Sequence, residues 1–205
     1  MTMTRRELIL SAGALAGASA LSFEAGLLRA EAQQTITDAT AGLLNLSDFE
    51  ESARKKMSPM IYELVASGAA DEFTLRWNRE SLDKIRLRPR VLVDVSKLDT
   101  RVTLFGQELP FPILLAPTAT HRLYHADGEI ATAKGAGAAK AAYVVSTYTT
   151  TPIEDIARAA TQPLWFQIYV QADKGFTKDI VQRAETAGCR ALCVTVDTPV
   201  NSVRN

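Results

Sequence analysis

Four apolar segments between Pro112 and Val196 restrict the folds open to this chain: "PILLA" at 112–116, "AYVVST" at 142–147, "LWFQIYV" at 164–170 and "ALCVTV" at 191–196. Each is apolar through consecutive positions rather than alternate ones. A strand built from such a run needs cover on both faces. Helical stretches lie between them, near 128–141, 152–160 and 176–187. Strand and helix recur with a period of twenty to thirty residues, which predicts parallel strands joined by helical crossovers. The expected class is α/β, either a β/α barrel or an open α/β sheet. The strand at Ala191 to Val196 is expected to be fully buried.

The chain before Pro112 has a different character. Residues 1–32 hold Arg5-Arg6, an apolar run from Leu8 to Phe23, and small-residue cleavage candidates at Ala18–Ala20 and Ala30–Ala32. This is the layout of an export signal. Thr4-Arg5-Arg6-Glu7-Leu8-Ile9 resembles the twin-arginine class, which implies a periplasmic protein, with membrane association as the alternative. Residues 33–46 are polar and small and read as a linker. A helical lead-in is expected over 47–90. Ser47-Asp48-Phe49-Glu50 has the spacing of a capping box, Ser58-Pro59 restarts a helix that stops at Gly68, and 71–84 is helical. From Arg88 "RPRVLVDV" turns extended, and within 91–111 "TRVTLFGQELPF" predicts a hairpin around Gly106-Gln107. The strand–helix repeat fills 112–205.

Composition excludes some roles. The 23 basic and 23 acidic residues cancel, and no basic stripe interleaves with aromatics, so a nucleic-acid partner is not expected. Cys189 and Cys193 lie four apart on one extended stretch, too far to bond to each other, and bring no further metal ligands with them. Cys193 reads as a small core residue. Gly135-Ala136-Gly137 looks like part of a dinucleotide fingerprint. However, it lies inside a helix and precedes a strand, the reverse of what phosphate binding needs. Close helix packing is the expected role for these glycines.

Polar groups gather at the C-terminal ends of the apolar strands. The first ends in Ala116-Pro117-Thr118-Ala119 and the second in Ser146-Thr147-Tyr148. The third carries Gln167 and Tyr169, and the fourth Thr195 and Asp197. In a β/α barrel this end holds the active site. Burying Gln167 and Thr195 without partners would cost a few kcal/mol each. A bound polar ligand is one way to satisfy them; internal hydrogen bonds are the other.

"LLAPTA", "VSTYTT", "WFQIYV", "TVDTP" and "IYELVASGAADEFTLRWNRESLDKIRLRPR" together resemble the FMN-dependent α-hydroxy-acid oxidases and dehydrogenases, from about Leu46 to Asn205. The resemblance implies a (β/α)8 TIM barrel, of which about the first four β/α units are present. It also implies FMN as cofactor and oxidation of a small 2-hydroxy acid, such as lactate, glycolate or mandelate, to the 2-oxo acid. The acceptor that reoxidises the flavin is left open among oxygen, quinone and cytochrome, and a homo-oligomer is implied for the complete enzyme. By the same resemblance, the Pro117-Thr118-Ala119 backbone lies against the isoalloxazine ring, and Ser146, Gln167 and Thr195 bond its polar edge. Tyr169 stands near the substrate, Arg204 holds the substrate carboxylate, and Asp197 pairs with a catalytic histidine.

The sequence departs from that family at several positions. Leu64 stands where the family usually has a carboxylate-binding tyrosine, and Tyr62 is on a different face of the helix. Tyr148 replaces an aromatic that is often Trp, and Ser202 stands where Gly is common. The family's base histidine and its phosphate-binding loops lie beyond Asn205, so the chain reads as a fragment that is inactive alone. His121 and His125, in the loop after the first strand, are not expected to take the base's role. A non-catalytic half-barrel remnant and an FMN-type diphosphate isomerase are the alternative readings.

Overall fold

The computed structural model describes residues 40–197. The proposed export signal, Ser202 and Arg204 lie outside the described residues. The chain divides into two units, Met1–Asn45 and Leu46–Asn205. Of the first, only 40–45 are described, a turn in which the Leu43 amide donates to the Thr40 carbonyl.

The second unit opens with three helices, α1 (Leu46–Lys56), α2 (Pro59–Ala66) and α3 (Phe73–Asp83). Helix α2 begins as the sequence predicts: Ser58 caps it by accepting from the Ile61 amide at 3.4 Å, and Pro59 occupies the first turn. The capping box of α1 does not form. Ser47 is already inside the helix, and Glu50 instead accepts from the Tyr62 hydroxyl at 3.0 Å and pairs with Arg79 at 3.2 Å. A tertiary donor pair has taken the carboxylate that local spacing assigned to the helix end. None of the three helices buries a residue fully. Residues 88–95 form no strand, correcting the extended reading of "RPRVLVDV".

Strands β1 (Val102–Leu104) and β2 (Gln107–Leu109) form the expected antiparallel hairpin. Its two-residue turn is Phe105-Gly106, one position earlier than predicted, with φ of 48° and 74°. Two positive φ values in succession give the twist that matches paired strands, and Gly106 meets that demand at no steric cost.

The strand–helix repeat then follows. After a short 3-10 turn at His121–Leu123 come α4 (Gly128–Ala139), β3 (Tyr143–Val145), α5 (Ile153–Ala159), β4 (Leu164–Ile168), α6 (Lys174–Thr186) and β5 (Leu192–Val194). Helix α6 starts two residues earlier than read, because Asp173 caps it through the Gly175 and Phe176 amides. Strands β3, β4 and β5 are parallel and adjacent in chain order, with Phe166 opposite both Val145 and Leu192. The segment at "PILLA" reaches only an isolated parallel bridge, Leu115 to Tyr143. Pro112 and Pro117 remove ladder donors at both of its ends. The sheet therefore runs in unbroken chain order, with no strand skipped; no closed barrel is formed among the described residues.

The sheet's two faces have separate tasks, set by the alternation of side chains along a strand. Tyr143 and Val145 of β3 and Leu164, Phe166 and Ile168 of β4 pack on Ala133, Ala136, Ile153, Ile156 and Ala184 of the helices. Truncating the fully buried Ile156 to Ala would cost roughly 3 kcal/mol. The other face carries Val144, Ser146, Trp165 and Gln167, all buried. At its N-terminal end the hairpin lies against Trp165. Phe105 meets the indole edge-on at 5.2 Å, and the indole N–H donates to Gln107 Oε1 at 3.4 Å.

Strand β5 is not fully buried as expected. It is the sheet's last strand among the described residues, and Leu192 and Val194 are about half exposed. Cys193 is half-buried rather than in the core, and both cysteines are free thiols. Burial pushes the Cys189 thiol up to about 11. Of Gly135 and Gly137 in α4, only Gly137 is there for packing. A Cβ on it would meet Thr161 Oγ1 at 2.3 Å, whereas one on Gly135 would meet nothing within 4 Å.

Candidate active site at the strand tips

Parallel pairing brings the C-terminal ends of the strands together, so side chains from three strands meet without any loop crossing the sheet. Ser146 is level with Gln167, Thr195 stands two residues beyond Cys193, the partner of Gln167, and each of the three contacts the next. The Ser146 hydroxyl donates to Gln167 Oε1 at 3.2 Å, and the Thr147 amide donates to the same oxygen at 3.1 Å. Two donors at Oε1 fix the orientation of the amide, and Nε2 then donates to Thr195 Oγ1 at 2.8 Å. Internal hydrogen bonds therefore satisfy Gln167 and Thr195. The bonds run sideways, from strand to strand, rather than back to the local backbone.

This arrangement leaves defined capacity. The Thr195 hydroxyl accepts from Gln167 and keeps its own proton to donate. The Gln167 amide has a second proton beyond the one given to Thr195. Ser146 Oγ also accepts from the Tyr148 amide at 3.2 Å. The row thus presents amide and hydroxyl protons on an otherwise apolar face.

Thr147, not singled out by the sequence, stitches β3 to β4. Its hydroxyl donates to the Gln167 carbonyl at 2.6 Å and accepts from the Tyr169 amide at 3.2 Å. Past that stitch, the Tyr148 and Tyr169 rings stack at 5.2 Å with 29° between their planes. Tyr169 is half-buried and Tyr148 exposed. The turn after Leu115 stands beside them, because the Thr120 amide donates to the Tyr148 carbonyl at 3.0 Å. Pro117 and Thr118 in this turn are exposed, and Ala119 is half-buried.

Asp197 follows β5 and is exposed; among the described residues it has no hydrogen-bond partner. Both histidines bond other groups: His121 Nδ1 bonds the Thr132 hydroxyl at 2.9 Å, and His125 Nδ1 accepts from the Asp127 amide. Leu64 is half-exposed on α2, and the Tyr62 hydroxyl is taken by Glu50. Among the described residues, no group of three or more His, Cys, Asp or Glu could hold a metal ion.

A second residue that sequence reasoning missed is Glu129, fully buried at the start of α4. Its carboxylate accepts from the amides of His121 at 3.2 Å and Thr150 at 2.8 Å. It also accepts from the hydroxyls of Thr150 at 2.7 Å and Thr151 at 2.8 Å. Burial alone would raise its pKa, but the hydrogen bonds from Thr150 and Thr151 outweigh it and hold the group at about 2. Burial, and then the Glu129 charge, push the Tyr143 phenol up.

The family model for FMN-dependent dehydrogenase matches residues 53–205. Among curated proteins, glycolate oxidase 1 of Oryza sativa subsp. indica is 41% identical over 157 residues, which is 77% of this chain and 42% of that protein. L-lactate oxidase of Nostoc sp. is 42% identical over 161 residues, 77% of this chain and 44% of that protein. 2-Hydroxyacid oxidase 2 of Mus musculus is 48% identical over 159 residues, 77% and 45% of the respective chains. Mandelate oxidase solved with (S)-4-hydroxymandelic acid superposes with a TM-score of 0.74 at 36% identity, covering 78% of this chain and 44% of that one. A mandelate oxidase variant with an FMN adduct gives 0.73 at 35% identity, covering 77% and 47%. The chain spans less than half the length of the relatives it matches. Its α/β strand–helix order, the level of its polar strand tips and a match over residues 53–205 agree: the chain belongs to the FMN-dependent dehydrogenase family.

Proposed function

We propose that this chain forms the first part of a (β/α)8 barrel that oxidises a small 2-hydroxy acid to the 2-oxo acid on FMN. The observation that carries this reading is the Ser146–Gln167–Thr195 row, in which Ser146 fixes the amide while Gln167 Nε2 and Thr195 Oγ1 each keep a proton to donate. The polar edge of an isoalloxazine ring alternates carbonyl and ring nitrogen, and an amide flanked by two hydroxyls suits it. When bound there, FMN supplies a two-electron acceptor. The Pro117-Thr118-Ala119 turn lies against the ring, and the Tyr148–Tyr169 pair keeps water from the face where substrate sits. Arg204 holds the substrate carboxylate by a charge-assisted pair. Asp197 stabilises the cationic form of a histidine that takes the α-proton, as a carboxylate beside an imidazole does. We further propose export by a twin-arginine signal at residues 1–32 and a homo-oligomeric enzyme.

Titration of the complete enzyme with FMN tests the reading. Flavin fluorescence should quench stoichiometrically, and anaerobic lactate, glycolate or mandelate should then bleach the flavin absorbance. A complete enzyme that takes up no FMN would refute the assignment.

A further inference from the structure

Glu129 is a buried carboxylate with no basic partner among the described residues, and every group around it is a donor. Its four donors belong to two separate segments. His121 lies just after the turn that follows Leu115; Thr150 and Thr151 lie just after the tip of β3. Two direct bonds run alongside: the Thr120 amide to the Tyr148 carbonyl at 3.0 Å, and the Arg122 amide to the Thr150 hydroxyl at 3.2 Å. The hydroxyl of Thr150 accepts from Arg122 and donates to Glu129, so the carboxylate sets which way that hydroxyl faces. Gly128 allows the close approach: its φ is 51°, and a Cβ there would meet Arg122 Cγ at 2.6 Å.

The two clamped segments lead directly into the groups proposed to contact the ring. One carries Pro117, Thr118 and Ala119. The other carries Ser146 and Tyr148, joined to each other by the Tyr148 amide and, through the ring stack, to Tyr169. We propose that Glu129 is a positioning residue for the flavin site: from behind the strand tips it fixes the spacing between the turn at 117–119 and the tip at 146–148. It touches neither cofactor nor substrate. The proposal rests on the reading of this face as an FMN site. It adds a reason why a charge is kept in the core: only an ionised carboxylate accepts from four donors at once.

The test compares the complete enzyme carrying Glu129→Gln with the wild type and with Arg183→Gln, which breaks an exposed pair with Glu154 on the helix side. Glutamine keeps the size but turns a donor toward donors. Three readouts are taken below the melting point of each protein: FMN affinity by fluorescence quenching, the visible circular dichroism of saturated FMN, and amide hydrogen exchange. For Glu129→Gln we expect roughly tenfold or greater loss of FMN affinity and an altered bound-flavin spectrum, with Arg183→Gln like the wild type. Exchange should accelerate in 118–122 and 146–151 but not in α6 or β5. An unchanged affinity and bound-flavin spectrum, or exchange accelerated equally everywhere, would overturn the proposal and leave Glu129 a general stabiliser. If the wild type takes up no FMN, the site reading fails instead. Exchange then decides only whether Glu129 clamps the two tips: selective loosening of 118–122 and 146–151 supports the clamp, and its absence overturns it.

Discussion

Gln167 shows how one side chain can connect three strands. Its oxygen takes two protons and its nitrogen gives one, so replacing it leaves the Ser146 hydroxyl and the Thr147 amide without their acceptor. Gln167→Leu should destabilise the fold by about 2–3 kcal/mol, measured by chemical denaturation, because buried polar groups lose partners. It should also weaken FMN binding by roughly tenfold or more in the fluorescence titration. Gln167 and Thr195 were legible in the sequence because polar types at the tips of apolar runs stand out. Glu129 was not: a glutamate in the first turn of a helix ordinarily reads as solvated and favourable to the dipole. Its burial depends on threonines 21 and 22 positions away, which no local pattern shows. Its pH dependence is a direct check. The folded pKa of about 2 lies below the ordinary 4.5, so its contribution is fully present above pH 4.5 and is lost as pH falls toward 2. Asp99 and Glu154, lowered by their arginine partners Arg101 and Arg183, titrate in the same window in any variant. The melting temperature of the wild type should therefore fall more steeply between pH 5 and 3 than that of Glu129→Gln, by scanning calorimetry.

Among the elements, helices α4, α5 and α6 were legible because strand and helix periods alternate cleanly, and Ser58-Pro59 marked the start of α2 to the residue. The misreadings share a cause: a tertiary partner or a missing donor overrode a local pattern. Glu50 left the α1 end for Tyr62 and Arg79, and two prolines cut the first strand to a bridge. Helix α4 allows a test of local against tertiary preference within three residues. Gly135→Ala should stabilise by about 1 kcal/mol, the helix-propensity gain, since open space surrounds its Cβ. Gly137→Ala should show no gain or a loss, because Thr161 must move. Paired urea denaturation curves of the two variants would show the difference, and adding Thr161→Ser should not restore the gain if the remaining hydroxyl still fills the space.

For the whole molecule, large apolar side chains are exposed along residues 44–105 and again where the sheet stops. Ile113, Leu192, Val194 and Val196 are each at least 46% exposed, on the first and last strand segments described. The 205-residue chain in isolation should elute larger than a monomer in size-exclusion chromatography, and Val194→Lys should shift it toward monomer, since a charge on an edge strand opposes pairing. The α/β class was legible from the doubly apolar strands, but strand order was not, since barrel and open sheet share that pattern; the unbroken order came from the register of β3, β4 and β5. That register has a further consequence. Adjacent strands lie about 4.8 Å apart, and Thr195 stands two residues beyond the partner of Gln167, so the row from Ser146 to Thr195 runs diagonally over about 12 Å. Peptide hydrogen bonds, not side chains, set this gauge. Substitution can strip contacts from the row or reverse their polarity, but it cannot widen the row. In the enzyme we propose, substitution in the row would therefore change how the flavin is bonded and leave the spacing offered to it unchanged.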